Sequence, residues 1–341
     1  MFLLMAVLFH IVVESTVRWV FAPRSGVAKY LAEFRDKAQK DGLPLAQFAK
    51  KADLDAYLGW GRNEVRIHEP TVNTANPRTV LFVGDSVTAG HDVRGGVEDY
   101  PALLAAKLGG QGVRVVNLAS RGYGVDQMWL KLLTKAGEYH PDLIVFAYIP
   151  HDLIRPASDF NFGLPKPRFH FAGTQPILSL PKGIIEYMAG FESARSGFHL
   201  SDWFVAHYWR NKEYYAPQLF PGYYRKLYHH IGEGLARLSE EWGIPVRVVK
   251  LTNYHRFTGI ETLTNLAASE WVHPSVWDKA NLRYLDTDAC VAAKAQAMDL
   301  ETEFAHHPGP AGHRLLAECL AGDLEPVLSG LPAQANAPGG R

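Results

Sequence analysis

The sequence has 341 residues, of which 47% are hydrophobic and 21% charged, and its 35 Lys and Arg residues balance 35 Asp and Glu residues. A chain of this size and composition can bury a large core, which excludes intrinsic disorder as its general state. The charge balance disfavours a nucleic-acid-binding protein, whose affinity depends on neutralising phosphates with an excess of positive charge.

The first segment of the sequence is apolar. Residues 1–13 (MFLLMAVLFHIVV) contain one histidine, and the stretch up to Phe21 just reaches the roughly 20 mainly apolar residues that a membrane-spanning helix needs. A cleaved signal peptide is disfavoured because no basic segment precedes the run and no small-x-small site closes it. Arg18 and Arg24 follow the run, on the wrong side for exporting the rest of the chain. We predict a membrane anchor over residues 1–22, with an interfacial helix or a start further upstream as alternatives.

Amphipathic stretches and short apolar runs alternate along the rest of the sequence. Residues 23–78 begin with charged amphipathic segments and predict a helical lead-in. Apolar runs then predict buried strands at 79–83, 113–118, 143–149 and 246–251, and a short strand near residue 300. Helices are predicted over 100–108, 126–139, 223–242, 288–297 and 311–321.

Strands and helices in this order predict βαβ units and therefore a parallel sheet covered on both faces. The predicted fold class is α/β, a three-layer α/β/α sandwich with a central parallel sheet, over residues 79–328. Residues 155–222 are rich in proline and aromatic residues without periodicity, which indicates a large insertion with short helices rather than a second domain. Residues 329–341 are predicted to be a disordered tail.

A serine directly follows the first predicted strand, in the sequence Gly84–Gly90 (GDSVTAG). Catalytic groups of open parallel sheets gather outside the carboxyl ends of the strands, so Ser86 can present its hydroxyl there. No Gly-Lys-Ser/Thr follows, which excludes a phosphate-binding loop, and the pattern is not the GxSxG elbow. The alternative is a plain β-to-α turn that uses Gly and Ser for conformational reasons.

Four segments together resemble the SGNH (GDSL-like) hydrolases. VLFVGDSVTAG resembles block I of that superfamily, whose serine lies in a Gly-Asp-Ser motif, and NLASRGYGVDQ is similar to block II. PDLIVFAYIPHDL and HPGPAGHRLLAE resemble blocks III and V, so the resemblance covers about residues 79–320 apart from the insertion. It implies an SGNH or flavodoxin-like fold and an esterase with Ser86 as nucleophile.

The resemblance also implies roles for a glycine and a histidine. Gly122 matches the block II residue whose backbone N–H joins that of Ser86 in the oxyanion hole, and the same glycine can serve a tight turn. His307 matches the catalytic base, with His306 as runner-up, while His313 is predicted in the first turn of the last helix. A metal site at these three histidines is disfavoured because the sequence places no carboxylate or fourth ligand with them. We predict no metal and no cofactor.

The sequence departs from the family pattern at two positions. Block III of the family carries an Asn whose amide donates to the oxyanion, and His151 stands there instead. An imidazole N–H can also donate, so we predict His151 as the third donor; alternatively it is a loop histidine and two backbone donors remain.

The second departure concerns the acid that orients the base. The family places an Asp two or three residues before the histidine, where this sequence has Phe304 and Ala305. We predict Glu303, the nearest carboxylate, as the acid. Glu301, Asp299 or a Ser–His dyad held by a backbone carbonyl are the alternatives.

These residues predict an esterase that forms a covalent acyl-enzyme on Ser86 and releases it with His307. The resemblance implies acetyl or other small acyl groups on a glycan or lipid. A membrane anchor would suit such a substrate in a bacterial envelope, so we predict an extracytoplasmic location. The alternatives are an O-acyltransferase of envelope polysaccharide and a catalytically inactive glycan-binding protein. Cys290 and Cys319 are either a disulfide or two buried thiols.

Overall fold

The computed structural model describes residues 33, 36–44, 47, 55–161, 164–186, 211–215, 219–253, 276–277, 282–295, 298–305 and 307–331. They divide into two compact units. The sheet unit comprises Asn63–Leu153 and the described residues from Tyr224 onward, and the smaller unit comprises the described residues up to Arg62 and within Ile154–Tyr223. The predicted anchor, residues 1–22, lies outside the described residues, and no helix within them is long and apolar enough to cross a bilayer.

A six-stranded sheet organises the sheet unit, with the strand order β1-β3-β2-β4-β5-β6. The strands are β1 (Arg66–His68), β2 (Arg78–Val83), β3 (Val113–Asn117), β4 (Leu143–Tyr148), β5 (Val246–Lys250) and β6 (Leu282–Asp286). Neighbouring strands are parallel except at one edge, where β1 pairs antiparallel with β3. The four long apolar runs therefore form strands as predicted, because each is buried in the sheet.

Two strand predictions need correction. The sheet is not wholly parallel, because β1 is antiparallel to β3. This three-residue strand lies in the stretch that was predicted as a helical lead-in. No strand forms within the described residues 298–305: Asp299 accepts a hydrogen bond from the Thr302 N–H and caps a short helix over Leu300–Glu303. The sheet instead ends at β6, which is partly exposed, as suits an edge strand, and lacks the continuous apolar run of the central strands.

Among the described residues, six α-helices belong wholly or mainly to the sheet unit. They are α1 (Tyr100–Leu108), α2 (Val125–Lys135), α3 (Pro221–Trp242), α4 (Asp288–Lys294), α5 (Leu300–Glu303) and α6 (Pro310–Gly330). The last helix continues past its predicted end at residue 321 into the predicted tail, because Leu324 and Leu328 remain buried.

The helices cover both faces of the sheet. On one face, Val80, Phe82 and Val145 share a core cluster with residues of α1 and α6. On the other face, the alternate residues Leu81 and Phe146 are buried outside that cluster. There α2 packs on β2, and Trp277 lies between Tyr148 of β4 and Tyr228 of α3, with ring centroids 6.2 and 6.3 Å away. The predicted three-layer α/β/α architecture is confirmed.

A disulfide joins two helices of the first face. Cys290 of α4 and Cys319 of α6 are bonded, with their Cα atoms 5.9 Å apart. Of the two alternatives left by the sequence, the structure therefore contains the disulfide.

The smaller unit contains two antiparallel hairpins in addition to the short helices that were expected. Phe160–Asn161 pairs with Leu164–Pro165, and Arg168–Ala172 pairs with Gln175–Ser179. A short helix follows at Lys212–Tyr215. The buried Arg168 guanidinium binds the Glu213 carboxylate at 2.7 Å, which stabilises a charge that burial would otherwise disfavour.

Candidate active site

The serine turn, residues 84–92, follows β2 at the carboxyl edge of the sheet. Its first residue is glycine because a Cβ at Gly84 would lie 2.3 Å from the Thr88 hydroxyl and 2.9 Å from the Ala147 carbonyl oxygen of β4. The buried Asp85 carboxylate accepts a hydrogen bond from the Val87 N–H at 2.9 Å, and its Oδ2 lies 3.2 Å from Ser86 Oγ. These contacts fix Ser86 at the edge of the sheet, where it is 5% exposed.

Ser86 begins a continuous chain of hydrogen bonds. Its Oγ lies 2.9 Å from His307 Nε2, and His307 Nδ1 lies 2.9 Å from Asp92 Oδ2. Because a carboxylate only accepts hydrogen bonds, Nδ1 donates to Asp92 in the neutral imidazole, which leaves Nε2 to accept from the Ser86 hydroxyl. This is the arrangement that activates a serine nucleophile through a base oriented by an acid.

The carboxylate at His307 comes from the serine turn itself. Asp92 has a φ of +66°, in the left-handed region that non-glycine residues seldom adopt and that Asp and Asn tolerate best. Its side chain is 56% exposed, while that of His307 is 10% exposed. No family motif marks Asp92; the sequence offered only an acid six residues after the serine, with nothing to indicate that it meets His307.

The structure does not place the predicted acid, Glu303, at Nδ1 of His307. Glu303 Oε1 accepts a hydrogen bond from the Gly312 N–H at 2.6 Å, in the first turn of α6. A carboxylate is favourable there because the first N–H groups of a helix lack intrahelical partners and carry partial positive charge. Proximity in sequence to His307 thus gives Glu303 a role at a helix end, while Nδ1 of His307 meets Asp92.

The loop after β3, residues 118–124, lies beside the serine turn. Its Ser120 N–H donates to the Gly84 carbonyl oxygen at 3.1 Å. Gly122 has a φ of +75°, which glycine adopts without strain, in keeping with the tight turn expected there. The two loops that carry the predicted backbone oxyanion donors, Ser86 and Gly122, are therefore hydrogen-bonded to one another.

A buried lysine supports this loop from below. Lys131 of α2 donates to the Ser120 hydroxyl at 2.8 Å and to the Glu64 carbonyl oxygen at 2.9 Å. Burial lowers the pKa of Lys131 to about 7, because an ammonium group is poorly solvated there. The side chain fixes the segment that leads into Gly122.

His151 lies in a 3-10 turn over Pro150–Leu153, directly after β4. Because β4 is parallel to β2, this turn emerges at the same edge of the sheet as Ser86. The neighbouring Asp152 is buried and accepts from the Ile149 N–H at 2.9 Å, which fixes the turn. His151 is half-buried, and its role as an oxyanion donor stays a prediction.

The other two histidines of the last segment differ from His307. His306 lies outside the described residues. His313 is in the first turn of α6, as predicted, and its Nδ1 accepts from the Tyr100 N–H at 3.2 Å. Burial lowers the pKa of His313 to about 4, so the ring is neutral at neutral pH.

A cavity of about 330 Å³ borders both loops. Its lining includes Ala89 of the serine turn, Ala119 and Arg121 of the loop after β3, and Glu64 and Arg66. The mixture of charged and small side chains suits a polar ligand rather than a long apolar chain.

No protein-family model matches the chain, and no curated protein matches it. Among solved structures, it is similar to TesA, with 15% identity over 73% of this chain and 99% of that chain and a TM-score of 0.42. Axe2, an acetylxylan esterase from Geobacillus stearothermophilus, is 14% identical over 75% of this chain and 95% of its own, with a TM-score of 0.43. A GDSL-like lipase from Bacteroides thetaiotaomicron is 12% identical over 73% and 89%, with a TM-score of 0.41. At identities and TM-scores this low, the similarities carry no argument about this chain's function.

Proposed function

We propose that this chain is a serine esterase of the SGNH (GDSL-like) type, with Ser86 as nucleophile, His307 as base and Asp92 as the acid that orients it. The observation that carries the proposal is the hydrogen-bond chain from Ser86 Oγ through both nitrogens of His307 to Asp92, with 2.9 Å at each step. The Gly-Asp-Ser turn and the block-like segments around it support the same assignment.

The geometry supports acyl transfer in two stages. Ser86 Oγ bonds to the acyl carbon while its proton passes to His307 Nε2, and that proton then leaves with the alcohol as the ester bond breaks. A water molecule next attacks the acyl-enzyme, gives its proton to Nε2 and releases the acid, after which the proton returns to Ser86 Oγ. Throughout, Asp92 accepts the Nδ1 hydrogen bond and stabilises the imidazolium.

The developing oxyanion needs donors at the same edge of the sheet. The backbone N–H groups of Ser86 and Gly122 are our proposed donors, with the imidazole of His151 as the third. The bond between Ser120 and Gly84 supports this assignment, because it holds the two backbone donors in one hydrogen-bonded unit.

We propose a small acyl ester of a polar alcohol, such as an acetylated glycan, as the substrate class. The charged cavity beside Ala89 and Ala119 supports a polar leaving group, and Arg66 and Arg121 in its wall can hydrogen-bond to hydroxyls. An envelope location outside the cytoplasm, with a membrane anchor at the N-terminus, remains our proposal. The disulfide between Cys290 and Cys319 supports it, because such bonds persist in oxidising compartments.

The test is hydrolysis of p-nitrophenyl acetate by the full chain and by Ser86→Ala, with Ser329→Ala as matched control. Ser329 is an exposed serine at the end of α6 and bonds only within its helix in the contacts observed. We expect kcat to fall by at least about 10³-fold in Ser86→Ala and to stay unchanged in the control.

A serine-directed phosphonate separates this proposal from its alternatives. We expect one adduct per chain, on Ser86, detected by mass spectrometry. An adduct without hydrolysis would favour an O-acyltransferase that protects its acyl-enzyme from water. Neither adduct nor turnover would contradict the proposal and favour a non-catalytic glycan-binding protein.

A further inference from the structure

A second histidine lies against the proposed base. The ring of His91 meets that of His307 edge to face, with centroids 4.6 Å apart and an interplanar angle of 80°. His91 Nε2 lies 3.6 Å from Asp92 Oδ1, and its backbone N–H donates to the Ser86 carbonyl oxygen at 2.9 Å. Two imidazoles and a carboxylate therefore converge at one point, although the sequence placed no carboxylate with its histidines.

These three side chains have the spacing of a metal site. One ligand atom from each of His91, Asp92 and His307 lies within 4.8 Å of the other two. A tetrahedral ion with ligands at about 2.0–2.1 Å requires ligand atoms about 3.3 Å apart. The two separations from the Asp92 carboxylate, 2.9 Å to His307 Nδ1 and 3.6 Å to His91 Nε2, bracket that value.

The surroundings also suit an ion. The side chains of His91 and Asp92 are 34% and 56% exposed, so an ion can enter from solvent and keep water as a further ligand. His91 Nδ1, by contrast, is buried without a hydrogen-bond partner, so the ring orientation is not committed to another contact through that atom. Two nitrogen ligands and one carboxylate favour Zn²⁺ or another late divalent transition metal over Mg²⁺ or Ca²⁺, which prefer all-oxygen sites.

We propose that His91, Asp92 and His307 bind Zn²⁺, and that the bound ion reversibly inhibits acyl transfer. The ion takes His307 Nδ1 and the Asp92 carboxylate, so the hydrogen bond that orients the ring is replaced by coordination. A coordinated imidazole resists accepting a second positive charge at Nε2, and His307 then fails as a base for Ser86. Metal binding needs only the cluster geometry, whereas the inhibition rests on the proposed function.

Binding is tested with the full chain carrying Ser86→Ala, which removes no proposed ligand and has no turnover to interfere. We expect one Co²⁺ per chain with the visible absorption of a nitrogen-containing tetrahedral site, and displacement of Co²⁺ by Zn²⁺ in calorimetry. His91→Phe, which keeps an aromatic ring beside His307, should weaken Zn²⁺ binding by at least about tenfold. His91→Gln gives a second variant, and His229→Gln, at an exposed histidine of α3, is the matched control.

Inhibition is measured on the wild-type chain with p-nitrophenyl acetate, each rate being divided by the zinc-free rate of the same variant. Zn²⁺ should inhibit the wild type and His229→Gln equally, a chelator should restore the rate, and inhibition should be lost in His91→Phe and His91→Gln.

Absence of saturable Co²⁺ binding to Ser86→Ala would overturn the site. Inhibition of the His91 variants at the wild-type zinc concentration would overturn its composition. A chain that binds Co²⁺ through His91 yet lacks esterase activity would refute the proposed function and leave the metal site standing.

Discussion

The serine turn and the segment that carries His307 each contain a carboxylate near this histidine, and the two carboxylates have different roles. In the serine turn, Asp92 is 56% exposed, has a positive φ and bonds to the imidazole. In the base segment, residues 300–313, Glu303 is half-buried and binds the first turn of α6. The exposed and conformationally unusual acid faces the proposed chemistry, while the acid in a regular helix stabilises the fold.

This contrast shows that the position of the backbone determines which groups a carboxylate can contact. Glu303 ends a four-residue helix that precedes α6, so its side chain meets the nearest unpartnered N–H groups. Asp92 lies in a turn at the edge of the sheet, where its left-handed conformation directs the carboxylate to His307. Strained residues of this kind are common at functional sites because the surrounding structure holds them in place.

Apart from loss of Ser86 itself, the largest effect should come from Asp92→Asn. Asn tolerates a positive φ as well as Asp does, so the turn should keep its shape while the charge and the fixed acceptor are lost. We expect kcat for p-nitrophenyl acetate to fall about 10³-fold, less than for a fully buried acid because solvent screens an exposed one. The melting temperature should stay within a few degrees of the wild type. Full activity in this variant would remove Asp92 from the triad.

Removing the disulfide should show how firmly the base segment is anchored. The bond closes a loop between residues 29 apart, and on chain-entropy grounds its loss should cost about 3 to 4 kcal/mol of unfolding free energy. Urea unfolding of Cys290→Ser/Cys319→Ser, beside wild type with and without reductant, measures this. Reduced wild type should match the double variant, and an unchanged urea midpoint in both would show that packing of α4 on α6 suffices.

His313 should make the base segment sensitive to acid. Its folded pKa is about 4, lowered by burial, while an exposed histidine titrates near about 6.5. Between these pH values the imidazole is protonated in the unfolded chain but stays neutral in the folded chain. The full stability is therefore present above about pH 6.5 and is lost as the pH falls towards 4. The loss should reach roughly 3 kcal/mol.

The comparison is between wild type and His313→Asn, whose amide oxygen can accept from the Tyr100 N–H. The variant should lose stability less steeply between pH 6.5 and 4, measured by urea unfolding at each pH. His229→Asn, at an exposed position, should follow the wild type. Parallel curves for all three proteins would show that the buried ring does not drive acid unfolding.

Glu303→Gln should produce the smallest effect and the clearest contrast with Asp92→Asn. Both changes replace a carboxylate by an isosteric amide beside the same histidine-bearing segment. Loss of charge at the start of α6 should lower the unfolding free energy by about 0.5 to 1 kcal/mol and leave kcat within about twofold. If kcat instead falls as far as in Asp92→Asn, the assignment of the two carboxylates is reversed.

Most of the fold could be predicted because its signals are local. The apolar runs at 79–83 and 143–149 have no exposed face, so burial in a parallel sheet is the structure that accommodates them. The edge strands β1 and β6 were missed because they are short and only partly buried, so their sequences lack the continuous apolar run of the central strands. The hairpin over 168–179 was missed because its pairing depends on partners that the periodicity of one segment cannot reveal.

The candidate site was predictable only where residues lie next to one another in the sequence. Ser86 and Gly122 stand in short motifs after strands, and His307 precedes the closing helix, so position alone indicated them. The contact between Asp92 and His307 joins residues 215 apart and follows from how the serine turn bends. No spacing rule encodes that bend, whereas spacing did favour Glu303 because it is close in sequence.

The serine turn also determines how many independent alignments the proposed triad needs. Ser86 and Asp92 belong to one turn, closed by the bond from the His91 N–H to the Ser86 carbonyl oxygen. Their relative position is therefore set locally, and only His307 has to be brought in by the tertiary fold. In a triad with acid, base and nucleophile on three separate segments, the tertiary fold must position two segments relative to the nucleophile. In this triad it must position only one, the segment that carries His307. Insertions and deletions between residues 93 and 306 can therefore accumulate without separating nucleophile from acid, provided that α6 keeps its place against the sheet.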